Sequence, residues 1–201
     1  MKRAVDVVAS AVLLMVTLPL MVLASAAIIA IDGWPVIFVQ ERDGLCGDPF
    51  RLLKLRTMYR DADTRLAALL ADDDAAATEW NRYLRLRDDP RVLGRVGRTL
   101  RRWSIDELPQ LVNVARGDMS LVGPRPMPTD LLHHLPPSFL NVRRAVKPGI
   151  SGLWQVQGRS ANDLVGLQQL DVRYVQKHSL RLDLYILART PWAVLARRGA
   201  M

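Results

Sequence analysis

The chain has 201 residues, with 28 Lys plus Arg against 20 Asp plus Glu, a formal net charge of +8 and one cysteine. That length suits one anchored segment and one compact domain rather than two independent cores, and Cys46 alone excludes an internal disulfide, so nothing argues for an oxidising compartment and a cytosolic domain is compatible with the sequence. The basic excess attracts polyanions such as nucleic acid, anionic headgroups or phosphorylated substrates. Charge does not choose among them, and composition by itself favours reading Arg101-Arg102 and Arg143-Arg144 as no more than a solvated face.

Residues 7–31, VVASAVLLMVTLPLMVLASAAIIAI, carry no charge. About 17–25 apolar residues cross a bilayer as a helix, and a buried core helix seldom runs so far without a polar stripe. Lys2, Arg3 and Ala24-Ser25-Ala26 also suit a cleaved secretory signal. The apolar run outlasts the roughly 7–15 residues of such signals and continues past that site, so a retained segment is expected. Lys2 and Arg3 precede the segment, and Arg42, Arg51, Lys54, Arg56 and Arg60 follow it; the positive-inside tendency then asks for both ends on the cytoplasmic face. Pro19 sits near the centre, where it bends or breaks a helix. From the residues alone, a kinked spanning helix and one that enters and leaves by the same face stand level. Asp6, costly at an apolar margin, is expected to meet Lys2, Arg3 or the surface.

Asp32-Gly33-Trp34-Pro35 signals a turn with an interfacial aromatic, and VIFVQE, DGLCGDP and FRLLKLR read as strand, turn and returning strand, a hairpin close to the membrane. Residues 61–87 predict an amphipathic helix with Leu66, Leu69 and Leu70 in the core, then a second around Trp80, Tyr83 and Leu84. A short basic helix follows, with Arg98, Arg101 and Arg102 on one face as a phosphate or headgroup contact or merely a solvated flank. Ser104-Ile105-Asp106-Glu107 has capping-box spacing, and Pro109 would shift the helix start toward Asp106. Either register puts the acidic pair at a helix N-terminus.

Gly117-Asp118-Met119-Ser120 and Gly123-Pro124-Arg125-Pro126 are turn-rich, and the flanking prolines would hold the Arg125 guanidinium ready for phosphate or simply make a surface turn. Beyond them come a helix ending at Lys147-Pro148-Gly149, a loop GISGLWQVQGRS and a helix from about Asp163 to His178. RLDLYILARTPWAVLARR closes the chain as a stripe suited to the interface plane, with Trp192 at headgroup level. His133, His134 and His178 lack a zinc-binding setting. No dinucleotide fingerprint, P-loop or nucleic-acid signature accompanies the charge, so no nucleic-acid partner is expected.

The strings FVQERDG, PFRLLKLRTM, DDPRVLGRVGRTLRRWSIDELPQLVNVARGDMSLVGPRP, RRAVKPGISGLWQVQGRS and LDVRYVQKHSLRLDLYILART together resemble the bacterial sugar transferase family, the monotopic polyprenyl-phosphate phosphoglycosyl transferases. The resemblance runs from Lys2 to about Thr190. It implies transfer of a phospho-sugar from a UDP-sugar to polyprenyl (undecaprenyl) phosphate, with UMP and a polyprenyl diphosphate sugar as products. This would be the first membrane step of surface glycan assembly (exopolysaccharide or lipopolysaccharide) at the bacterial inner membrane. The fold it implies is α+β and predominantly helical: a re-entrant membrane helix over 1–31 broken at Pro19, then an interfacial hairpin and a compact cytosolic catalytic domain with amphipathic surface helices over 32–201. Larger members carry further membrane helices and another cytoplasmic domain, so this chain looks like the minimal catalytic form. Two departures stand out: Leu18-Pro19 replaces a common Ser-Pro, and Trp103 precedes Ser104 where a small hydroxyl residue is usual.

The resemblance also implies that Asp106 and Glu107 are catalytic and that Mg²⁺ is the cofactor. Asp106 would attack the sugar-bearing phosphorus and form a phosphosugar adduct, while Glu107 would take a proton or, with Asp106, hold Mg²⁺. Arg125 is the candidate phosphate clamp; Arg95, Arg98, Arg101 and Arg102 would form a second positive field, and Lys54 and Arg56 are further phosphate candidates. Expected partners are the UDP-sugar, polyprenyl phosphate and anionic lipids. The sugar, the glycan pathway and homo-oligomer formation stay open, and a non-catalytic scaffold that binds anionic lipid is the alternative.

Overall fold

The computed structural model describes residues 2–83, 86, 88–157 and 164–196. Its first element, α1 (Lys2–Asp32), is one helix with Pro19 inside it rather than two separate elements. Its 31 residues, at about 1.5 Å each, are long and apolar enough to cross a bilayer. Val12, Met15, Val16, Leu18, Val22 and Leu23 along its middle are exposed. Both ends, by contrast, dock on the rest of the protein. At the N-terminal end the Lys2 ammonium donates to the Asp183 carboxylate, the Tyr174 hydroxyl and the Val122 carbonyl. Arg3 donates to the Val114 and Ala115 carbonyls in the last turn of α5 (Gln110–Arg116), where a helix leaves carbonyls unpaired. At the other end Ala24 and Ile28 enter an apolar cluster with Val36, Leu55, Leu93 and Leu100, and Asp32 pairs with Arg56.

Asp6 meets neither Lys2 nor Arg3. It is buried and accepts a hydrogen bond from the Leu121 N–H at 3.1 Å. Leu121 lies in β3 (Ser120–Val122), which pairs in parallel with β4 (Gly149–Ser151) through Ser120 and Val122, so the Leu121 N–H faces the strand's other edge and needs an acceptor there.

The expected hairpin forms from β1 (Ile37–Asp43) and β2 (Pro49–Leu55), antiparallel, with Phe38 opposite Lys54 and Gln40 opposite Leu52. Side chains alternate along a strand and cross-strand partners share a face, so Phe38, Gln40, Leu52 and Lys54 lie on one face. The second edge of β2 is closed by one side chain of α5. Asn113, fully buried, accepts from the Leu53 N–H at 3.0 Å and donates to the Arg51 carbonyl at 2.8 Å and to Asp118 at 3.0 Å. Its amide therefore does for β2 what a third strand would do, on both sides of Leu52 and next to Lys54.

Helices α2 (Ala62–Asp72) and α3 (Asp74–Tyr83) appear where their periodicity predicts, although Leu84 lies outside the described residues. Leu66, Leu69 and Leu70 are only half-buried rather than core, because α2 packs chiefly on α3 and away from the main clusters. In α4 (Gly94–Arg102), Gly97 and Leu100 turn inward; a Cβ on Gly97 would stand 2.6 Å from the Thr57 carbonyl oxygen, so only glycine allows this approach. After β3, α6 (Pro137–Arg143) ends short of the expected Lys147-Pro148-Gly149, and residues 149–151 become β4 instead. A Cβ on Gly149 would lie 2.0 Å from the Gly123 nitrogen, so the two segments meet backbone to backbone. Helices α7 (Leu153–Gln157), α8 (Leu164–Lys177) and α9 (Leu180–Leu195) complete the order, while Gly158-Arg159-Ser160 and Asp163 lie outside the described residues. The main core gathers Leu52, Leu111, Val114, Met119, Leu121, Val122, Leu153, Tyr174 and Ile186. On α9, Leu184, Tyr185, Trp192 and Leu195 stay exposed.

Candidate active site

The capping box does not form. Ser104 adopts a left-handed backbone (φ 55°), not the extended one of an N-cap, and its side chain caps nothing. Ile105–Glu107 make a single 3₁₀ turn, and α5 starts only at Gln110 with Pro109 before it. The acidic pair therefore stands in a separate turn ahead of α5. Successive residues of a 3₁₀ turn diverge by roughly 120°, which lets the two carboxylates take different surroundings.

Both carboxylates line a cavity of about 510 Å³. The hairpin supplies Phe38, Gln40 and Lys54, the segment after it Thr57 and Met58, and α4 with its exit Arg101 and Ser104. Arg125 and Trp154 complete the wall from the loop after β3 and from α7. Glu107 accepts from Arg125 at 2.7 Å and from Lys54 at 3.5 Å. Asp106, 9% exposed, makes no ion pair within 4.0 Å among the described residues. Burial, and then the negative charge of Glu107, push its carboxyl from 3.8 up to about 6, against the pull of Lys54, Arg101 and Arg125. Burial likewise pushes the Lys54 ammonium down, with Glu107 opposing. The Glu107 charge is the main cause that raises Arg125. A buried carboxylate of raised basicity, facing three cations across a space that admits a large anionic ligand, is suited to attack on a phosphorus centre.

Of the residues singled out from the sequence, the fold brings Lys54, Arg101, Asp106, Glu107 and Arg125 together. Arg56 borders the cavity, yet its guanidinium is spent on Asp32 and on the Gly33 and Pro35 carbonyls, where it ties the end of α1 to β2. Arg95, Arg98 and Arg102 point outward from α4 and do not line the cavity; Arg98 comes within 3.9 Å of Asp88. Sequence reasoning missed Gln40, Thr57, Met58 and Trp154 as lining residues. Phe38, Gln40 and Lys54 could have been grouped by strand alternation, but Thr57, which accepts from Arg101 Nε at 2.8 Å, and Trp154 had no local signal.

Among the described residues no three His, Cys, Asp or Glu side chains gather into a metal cage. Mg²⁺ is commonly held by one or two carboxylates, waters and substrate phosphates, so the hard oxygen donors of Asp106 and Glu107 fit an ion that shares a bound diphosphate.

Comparison with known proteins identifies the family. The family model described as bacterial sugar transferase matches residues 1–197. The chain is 43% identical over 207 residues to the UDP-glucose:undecaprenyl-phosphate glucose-1-phosphate transferase of Caulobacter vibrioides, covering 99% of this chain and 71% of that one. It is 39% identical over 199 residues to the exopolysaccharide production protein ExoY of Sinorhizobium fredii, covering 99% and 87%. It is 40% identical over 200 residues to the undecaprenyl-phosphate galactose phosphotransferase of Salmonella typhimurium, covering all of this chain but only 41% of that longer relative. The chain belongs to the bacterial sugar transferase family.

Proposed function

We propose that the chain transfers a sugar 1-phosphate from a UDP-sugar to polyprenyl (undecaprenyl) phosphate, with Asp106 as the nucleophile. The observation that carries this reading is the buried Asp106 carboxylate, set beside Glu107 and opposite Lys54, Arg101 and Arg125 in one cavity. The names of the relatives support the same reaction class. In the first step an Asp106 oxygen bonds to the sugar-bearing phosphorus, and the phosphoanhydride bond breaks to release UMP. In the second step an oxygen of polyprenyl phosphate bonds to that phosphorus, and the Asp106–phosphorus bond breaks to give the polyprenyl diphosphate sugar and the free carboxylate. Arg125, Lys54 and Arg101 hold the diphosphate and offset its charge so that the carboxylate can approach. Glu107 accepts the acceptor's proton if it arrives protonated. Bound at Asp106 and Glu107, Mg²⁺ would neutralise phosphate oxygens and orient them.

Residues 1–31 are read as the membrane element and 32–201 as the catalytic body on the cytosolic face of the inner membrane. A re-entrant course with its bend at Pro19 is supported by the docking of both ends of α1 on one body while its middle stays bare. The exposed Trp192 face of α9 suits the headgroup layer and anionic lipids. An N-terminal epitope tag and the exposed Cys46 should both be inaccessible from outside intact spheroplasts and react only after permeabilisation. A tag removed by external protease while Cys46 stays shielded would establish a spanning helix instead.

For the reaction itself, purified chain with Mg²⁺, polyprenyl phosphate and a panel of UDP-sugars should release UMP with one or a few of them. Membrane binding without UMP from any donor would favour a lipid-binding scaffold.

A further inference from the structure

We propose that Arg143 and Asp171 are a positioning pair that sets Arg125 against Glu107, a role that rests on the transferase reading above. The segment Pro124-Arg125-Pro126 has two residues without an N–H, so little within it can hold its own carbonyls. Each is held from outside. Pro124 O accepts from the Gly149 N–H at 2.8 Å, Pro126 O accepts from Arg42 at 3.3 Å, and Arg125 O accepts from Arg143 Nη2. The next carbonyl, Met127 O, accepts from the Asp43 N–H at 3.2 Å. Strand β4, strand β1 and helix α6 thus grip the loop from different sides. The middle grip falls on the residue whose guanidinium reaches Glu107.

That middle grip is anchored in the interior. Arg143 is 5% exposed, and its Nε donates at 3.0 Å to Asp171 of α8, itself 3% exposed. A buried ion pair is a poor way to join two helices, because desolvation consumes much of its attraction and an apolar pair of similar volume does as well or better. The geometry gives this one a use. A planar guanidinium donates in two fixed directions, one to Asp171 and one to the Arg125 carbonyl, which the single ammonium of lysine reproduces poorly. Burial pushes the Asp171 carboxyl up and Arg143 pulls against it, so the pair depends on that one partner. Arg143 does not itself line the cavity; its contact with a lining residue among the described residues is the one to the Arg125 carbonyl.

The test compares Arg143→Lys and the apolar double replacement Arg143→Met with Asp171→Leu, each in the unmutated chain and in Arg125→Ala. UMP release is followed for kcat/KM, and thermal unfolding for the folded fraction. In the unmutated background both changes should lower kcat/KM on the order of 10- to 100-fold while the protein stays folded. In Arg125→Ala the same changes should cost less than about twofold, since the group they position is already gone. Equal losses in the two backgrounds, or a folded apolar replacement with full activity, would overturn the positioning role. If the apolar pair does not fold, Arg143→Lys decides the question by the same comparison. An unmutated chain that releases no UMP removes the transferase reading and this role with it, an outcome separate from active protein with equal losses.

Discussion

Asp106→Asn is expected to abolish UMP release, by at least about 10³-fold, and to make the protein more stable near neutral pH. The two effects share one cause. Burial and Glu107 raise the Asp106 carboxyl from 3.8 to about 6, so the folded chain holds that proton more tightly than the unfolded chain does. Stability therefore falls as pH rises through that window, and above it the folded protein carries the full cost of a buried charge. Asparagine removes this cost, worth on the order of 2–3 kcal/mol, or roughly 5–10 °C in Tm for a chain of this size. Thermal melts at pH 7.5 should separate variant from parent, and the gap should close as pH drops toward 4 and the parent protonates. Single-turnover UMP release by the parent should fall along the same limb, with a midpoint near pH 6, because only the carboxylate attacks. A variant that turns over at the parental rate, or melts well below it at pH 7.5, would sink both the nucleophile assignment and the electrostatic argument.

Asn113→Leu is expected to cost about 3–5 kcal/mol of stability and to lower kcat/KM by on the order of 10-fold or more in whatever protein still folds. The side chain is fully buried and makes three hydrogen bonds, two to the β2 backbone and one to Asp118. Leucine leaves the Leu53 N–H, the Arg51 carbonyl and the Asp118 carboxylate without that partner in a place where water cannot replace it, and each loss carries a desolvation penalty of about 1–3 kcal/mol. The effect reaches the site because Lys54 directly follows Leu53, whose N–H Asn113 holds, and the Lys54 ammonium sits 3.5 Å from Glu107. Denaturant midpoints measure the first effect, and activity below the transition measures the second. A midpoint equal to the parent's would mean that β2 does not depend on this amide.

Elements with a short sequence period were readable without the fold. The uncharged run through Ile31, the alternation of FVQ against FRLLKL and the Leu spacing of α2 each concern neighbours within a few residues, where backbone geometry alone decides who meets whom. The acidic pair was readable for another reason: it is two adjacent residues inside a long recognisable word. Its conformation was not, because a left-handed Ser104 and a detached 3₁₀ turn depend on α4 and α5 fixing both ends of the segment.

The sequence by itself determined the apolar segment, the hairpin, the family and the adjacent pair of carboxylates. Only the tertiary structure decided which basic residues line the same cavity. Arg56 and Arg101 look alike in the text, yet one is drawn to Asp32 and the other to Thr57 at the cavity wall. The parallel pairing of β3 with β4, and the contact of Arg143 with the Arg125 carbonyl, join segments too far apart in the chain for a local pattern to announce them. Such contacts form where packing leaves buried donors and acceptors facing each other, and that is a property of the assembled core rather than of any one stretch of residues.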